Sequence, residues 1–232
     1  NRGVILTGLN NAVSGSDNVN LGGCNNNVSG SASTIGSGIS NTNTGNFNFI
    51  GAGCGNLTSG NCSNIGSGSN NCITANNSSI NSGQNNKVSG HKSSVVAGTC
   101  NTACADNNFI GAGTCNQTQA VGGAILTGLN NSVRGEHSSI SSGENNEVRG
   151  KFSSVASGQN NTVLGDSSSV VAGCCNSVSG NFSTIISGRE NSASGLDSSA
   201  VGGKNNTISG ENAALLAGNN NNLSGKNSVV LT

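Results

Sequence analysis

The sequence predicts an all-β chain, a single parallel β-solenoid or β-roll of 15-residue coils with two short strands per coil, running over residues 1–232. Three observations carry this expectation. Gly recurs at alternating spacings of seven and eight from Gly8 to Gly225, with Ala as the only substitute. Asn fills one place in every repeat, and two apolar places stand seven residues apart in most of them. Self-similarity at a fixed period is the signature of stacked repeats, in which each unit buries its apolar side only against its neighbours.

With position 1 set at Leu9, residues 1–8 form a half repeat, fourteen complete repeats run from Leu9 to Gly218, and 219–232 lacks only its last place. There is no insertion or deletion. Position 3 is Asn throughout: Asn11, Asn26, Asn41, Asn56, Asn71, Asn86, Asn101, Asn116, Asn131, Asn146, Asn161, Asn176, Asn191, Asn206 and Asn221. Position 12 is apolar in every copy but Asn20, forming a column through Ile35, Ile50, Ile65, Ile80, Val95, Ile110, Ile125, Ile140, Val155, Val170 and Ile185. Position 5 is apolar in most copies, as in Val13, Val28, Val88, Val133, Val148, Val163 and Ile208.

Alternation along a strand turns positions 3, 5 and 7 inward on the first strand and 10, 12 and 14 inward on the second. Positions 10 and 14 hold almost only small or amide residues, so the coil should be flat and thin, with one aliphatic column per sheet. Stacking at about 4.8 Å lets the position 3 side chains pair up the axis as a hydrogen-bonded amide ladder. Gly at positions 7 and 15 is expected to supply the positive φ of tight corners. About fifteen and a half coils at that spacing give a rod of about 75 Å.

Composition narrows the function. The chain has no Pro, Trp, Tyr or Met, five Phe and 8% charged residues at zero net charge. An aromatic core is therefore excluded, and no stretch is long and apolar enough to insert into a membrane. Without a basic run there is no electrostatic reason to expect nucleic acid. The first residues contain neither an initiator Met nor a signal peptide, and the terminal coils carry no capping helix, so the chain reads as a segment of a longer fibre.

All eighteen charged residues and both His fall at positions 1, 2, 4, 6, 8 or 9. The outward places of the first strand accept Lys87, Arg134, Glu147 and Arg149. Those of the second strand, positions 11 and 13, hold Leu6, Leu21, Phe49, Val96, Phe109, Leu126, Val171, Ile186, Val201, Leu216 and Leu231 among small residues. An uncharged, partly apolar face suggests a buried contact, here lateral self-association.

Segments such as Ser153-Ser154-Val155-Ala156-Ser157-Gly158 with Asn161-Thr162-Val163-Leu164-Gly165, and Ser198-Ser199-Ala200-Val201-Gly202-Gly203, resemble the YadA-like head repeat of trimeric autotransporter adhesins. Those heads are left-handed parallel β-rolls with a repeat of roughly S-V-A-I-G followed by A-x-G, and related repeats occur in tail-fibre-like and virus-fibre-like surface proteins. The resemblance covers essentially the whole chain. It implies a left-handed coil, a homotrimer, an extracellular place at a cell or virion surface, and binding of a receptor or glycan by the exterior.

Nine cysteines remain to be placed. Cys100 and Cys115 share a column in successive coils, within reach of a disulfide. Cys24 and Cys54 lie two coils apart, too far to bond. Cys100 and Cys104 lack a nearby His, which argues against a metal site. His91 and His137 have no repeated acidic partner, so neither catalysis nor a cofactor is expected. Sequons such as Asn160-Asn161-Thr162 follow from the Asn, Ser and Thr content of the repeat. The sequence thus reads as a structural or adhesive fibre segment, stalk or head. The alternative is an ice-binding solenoid with an ordered Ser, Thr and Asn face.

Overall fold

The computed structural model describes residues 2–231, and among them contains strands and turns and no helix. The chain is a parallel β-solenoid of 15-residue coils with two strands per coil. It divides into two compact units, Asn1–Cys115 and Asn116–Thr232.

In the first unit every strand is two residues long and occupies repeat positions 4–5 or 11–12. Thr34–Ile35 pairs with Phe49–Ile50, and that strand with Asn64–Ile65, always parallel and always with the residue fifteen places on. Leu57–Thr58, Cys72–Ile73 and Lys87–Val88 do the same in the other sheet. Position 1 adds a third line of single bridges, Leu9 to Cys24 to Ile39 to Cys54 and onward to Thr114. Between the sheets lie the fully buried Ile35, Ile50, Ile65, Ile80, Val95 and Ile110 from position 12, facing Val28, Ile73, Val88 and Ala103 from position 5. β-Branched side chains suit these columns because their restricted χ1 is compatible with strand packing.

The second unit repeats the plan. Ser154–Val155, Ser169–Val170 and Thr184–Ile185 form one ladder, and Thr162–Val163 with Ser177–Val178 belongs to the other. Its core runs through Ile125, Ile140, Val155, Val170 and Ile185, against Val133, Val148, Val163, Val178 and Ile208. All eleven residues of the expected position 12 column are 0% exposed.

Two expectations require correction. Position 14 does not point inward: Ser37 and Ser67 are exposed, and Ser142, Ser157 and Ser187 are half-buried with hydroxyls donating to carbonyls fourteen residues on. The regular strand lasts only two residues, so alternation does not carry past position 13. Position 7 glycines, apart from Gly15, do not have positive φ. The left-handed corners are instead positions 15, 2 and 9, the last two occupied mostly by other residues, including Asn25, Phe47, Cys62, Lys92 and Phe152. Gly at position 7 answers to close approach, since a Cβ at Gly150 would overlap the Gly165 carbonyl oxygen of the next coil. Gly158, at position 15, carries both burdens, a φ of 109° and an overlap with the Gly173 carbonyl.

Ala replaces Gly at position 7 in Ala75, Ala105 and Ala120, but never at position 15. Gly158→Ala should therefore cost about 3 kcal/mol or more through strain and overlap, clearly exceeding Gly150→Ala. Urea midpoints of the two variants check the order; equal midpoints would show that the positive φ carries no separate cost.

Candidate functional surfaces

The position 3 amides join coil to coil. Asn161 is fully buried; its Nδ2 donates to the Gly173 carbonyl at 2.9 Å and to Asn146 Oδ1 at 3.0 Å. Its Oδ1 accepts the Asn176 backbone N–H at 3.0 Å and Asn176 Nδ2 at 3.1 Å. Oδ1-to-backbone bonds link Asn11, Asn26, Asn41, Asn56, Asn71, Asn86 and Asn101 in the first unit. In the second they link Asn116, Asn131, Asn146, Asn161, Asn176, Asn191, Asn206 and Asn221. The ladder is thus side chain to backbone as well as amide to amide.

A second ladder, at position 10, was not foreseen. Ser153 Oγ donates to the Gly165 carbonyl at 2.8 Å and accepts the Ser168 N–H at 3.0 Å. Ser63, Ser78 and Ser93 do likewise in the first unit. Seven residues after position 3, it performs the same task for the other half of the coil. The signal in the sequence was the near-exclusive use of small polar residues there.

Where polar residues enter the aliphatic columns, satisfaction is incomplete. Asn20 Oδ1 accepts the Gly22 N–H, while its Nδ2 has no partner among the described residues. Asn43 Oδ1 and Thr58 Oγ1 are likewise buried and unpartnered.

The outward places of the second strand are open to solvent. Leu6, Leu21, Phe49, Phe109, Leu126, Val171, Ile186, Val201, Leu216 and Leu231 are all exposed, and Val96 is half-buried. In the second unit position 13 is apolar in five successive coils, from Val171 (43% exposed) through Ile186, Val201 and Leu216 to Leu231 (72%). In the first unit the same place is often Gly, as in Gly36, Gly51 and Gly66. The apolar strip therefore runs unbroken over the last five coils of the second unit, after Ser141 interrupts it, and is broken in the first.

At the opposite corner, position 8 forms a column of exposed acceptors. Asn46, Asn61 and Asn76 each take the backbone N–H of the coil before, at 2.9, 2.9 and 2.7 Å. His91 continues the column by accepting the Asn76 N–H on Nδ1 at 3.1 Å, and Asp106 accepts from His91 N–H at 2.8 Å. His137 stacks on Phe152 with ring centroids 5.5 Å apart. Both His therefore have structural contacts. Glu136 pairs with Lys151 at 2.9 Å, and this hydrogen bond and the Lys151 charge hold its carboxyl below the usual carboxylate range. The modest stability such an exposed pair gives is present at neutral pH and fades as pH falls through the lowered Glu136 titration.

All nine cysteines are free thiols. Cys100 and Cys115, the pair placed within reach of a disulfide, are both free thiols in this structure. Both residues are left-handed, and desolvation pushes the Cys115 thiol up, with the neighbouring Cys100 thiol adding to the shift. Ile39 separates Cys24 from Cys54 in the bridge column. Burial pushes the Cys72 thiol up, against the opposing pull of Lys87 one coil away. Among the described residues no group of three or more His, Cys, Asp or Glu is placed to hold a metal ion.

Asn161→Ala strands the Asn176 N–H inside the coil, while the Gly173 carbonyl keeps the Gln159 N–H, and should cost about 2 kcal/mol. Thr58→Val keeps the side-chain shape and removes an unpartnered buried hydroxyl, and should stabilise by about 1 kcal/mol. Urea unfolding checks both; destabilisation by Thr58→Val would show that the hydroxyl is solvated or bonded.

No family model matches the chain, and no curated protein matches it.

Proposed function

We propose that the chain is a segment of an extracellular surface fibre, a rigid self-associating β-roll that serves as stalk or head at a cell or virion surface. The single observation that carries this reading is the apolar strip at position 13 of the second unit, exposed coil after coil on a strand face that bears no charge. Because each coil repeats the backbone of the last, one apolar side chain per coil becomes a line, and a second copy with the same line can match it coil for coil. The resemblance to YadA-like head repeats favours a left-handed roll and a homotrimer. The exterior corners, where charge and polar groups concentrate, are the surface offered to a receptor or glycan. No catalytic role and no cofactor are proposed.

A second reading is ice binding. Its support is the outward position 4 of the second unit, where Thr162, Ser177, Ser192 and Thr207 place four hydroxyl side chains in four successive coils. Elsewhere that column holds Lys87, Gln117 and Glu147, which interrupts a regular array. Thermal hysteresis in cooled solution would favour this reading over the fibre.

Light scattering with and without reductant tests the assembly. A trimer is expected in both conditions, and Ile186→Glu combined with Leu216→Glu should give monomers with unchanged β-sheet circular dichroism. A monomeric wild-type chain would sink the self-associating fibre, and an oligomer lost on reduction would move assembly onto the cysteines.

A further inference from the structure

In an extended strand adjacent side chains point to opposite faces. At one corner of the coil they do not. Position 1 is bridged to the coils on either side, whereas position 2 is left-handed, and the reversal swings the position 2 side chain round beside its neighbour. Three coils of the second unit show the result. Asn145 Nδ2 donates to Glu144 Oε1 at 3.5 Å, Arg189 Nε donates to Glu190 Oε1 at 2.9 Å, and Cys174 and Cys175 bring their Sγ atoms to 2.8 Å. The fold itself therefore puts the two thiols side by side.

This is the only pair of consecutive cysteines in the sequence. Cys175 is exposed, Cys174 is half-buried, and both are free. Backbone bonds from Cys174 N–H to the Gly188 carbonyl at 3.0 Å, and from Cys175 N–H to the Gln159 carbonyl at 2.9 Å, hold the corner in place. Two soft donors fixed together at the surface take a shared ligand with little further ordering.

We propose that Cys174 and Cys175 form a vicinal-dithiol site for a soft, thiophilic centre that takes two sulfurs at once, trivalent arsenic being the simplest case. With an aryl arsenoxide the step balances without an oxidant. Two S–H bonds break, two As–S bonds form, the arsenic-bound oxygen leaves with both protons as water, and arsenic stays trivalent. Arg189 and Glu190, one coil further on, flank the site and leave it open on its outer side. The Cys100 and Cys115 pair is the competitor, but its sulfurs come from successive coils.

The test uses the full chain in a phosphine reductant with phenylarsine oxide, read by intact mass and by protection of thiols from alkylation. One adduct per chain is expected at stoichiometric reagent, and peptide mapping should place the protected thiols at Cys174 and Cys175. Cys174→Ser and Cys175→Ser should each weaken binding ~tenfold or more by removing one of two linked contacts. Cys100→Ser should leave it unchanged, and circular dichroism should show all three variants folded. Absence of an adduct, an adduct that survives either change at the vicinal pair, or one lost with Cys100→Ser would each overturn the assignment.

Discussion

The whole structure depends on each coil lying in register with the next, fifteen residues on, and the position 3 amide is the group that enforces it. Asn161 spends its side chain on a backbone N–H of the following coil and on a glycine carbonyl twelve residues ahead. Both partners sit at fixed offsets, so one inserted residue would break both bonds and turn the aliphatic columns out to solvent. Uninterrupted spacing over the whole sequence is the visible consequence. Two aliphatic side chains per coil make a sparse core, and buried polar groups that met no partner would be costly in it. The serine ladder at position 10 meets the same need in the other half of the coil, with a shorter side chain reaching the carbonyl of position 7.

Much of this was legible because stacking gives every residue at one position the same surroundings. Asn at position 3 and the columns at positions 5 and 12 could be read as a ladder and a core from the period and strand alternation alone. What escaped reading has two physical origins. The first is the shortness of the strands: alternation was extended to position 14, where the chain has already bent. The second is the left-handed corner. Positions 2 and 9 demand a backbone state and not a particular side chain, so Asn, Lys, Cys and Phe all occur there and the pattern hides in mixed composition. Glycine drew attention to positions 7 and 15, yet at position 7 it answers to a neighbouring carbonyl and not to φ. The nearness of Cys174 and Cys175 was hidden for the same reason, since alternation alone would send them apart.

The left-handed corners also show what the fold tolerates. Phe47, Phe152 and Phe182 stand at φ between 53° and 57°, and all three are largely exposed. A bulky side chain in that region costs about 1–2 kcal/mol. The stack of His137 on Phe152 recovers part of it in one coil. A fold that holds such residues at its corners is over-determined by its interior, and its exterior is correspondingly free to vary.

That freedom gives the charge pattern its meaning. Positions 4 and 6 of the first strand and positions 11 and 13 of the second are equivalent places, each pointing outward from a two-residue strand. The first set accepts Lys87, Arg134, Glu147 and Arg149 without disturbing the ladders beneath. Nothing in the backbone of the second set would reject the same residues, for its side chains are equally open to water. The absence of charge from positions 11 and 13 is therefore not a requirement of folding. On the proposed reading the face is left uncharged for a contact, and the apolar line at Val171, Ile186, Val201, Leu216 and Leu231 is what a partner of matching repeat would cover.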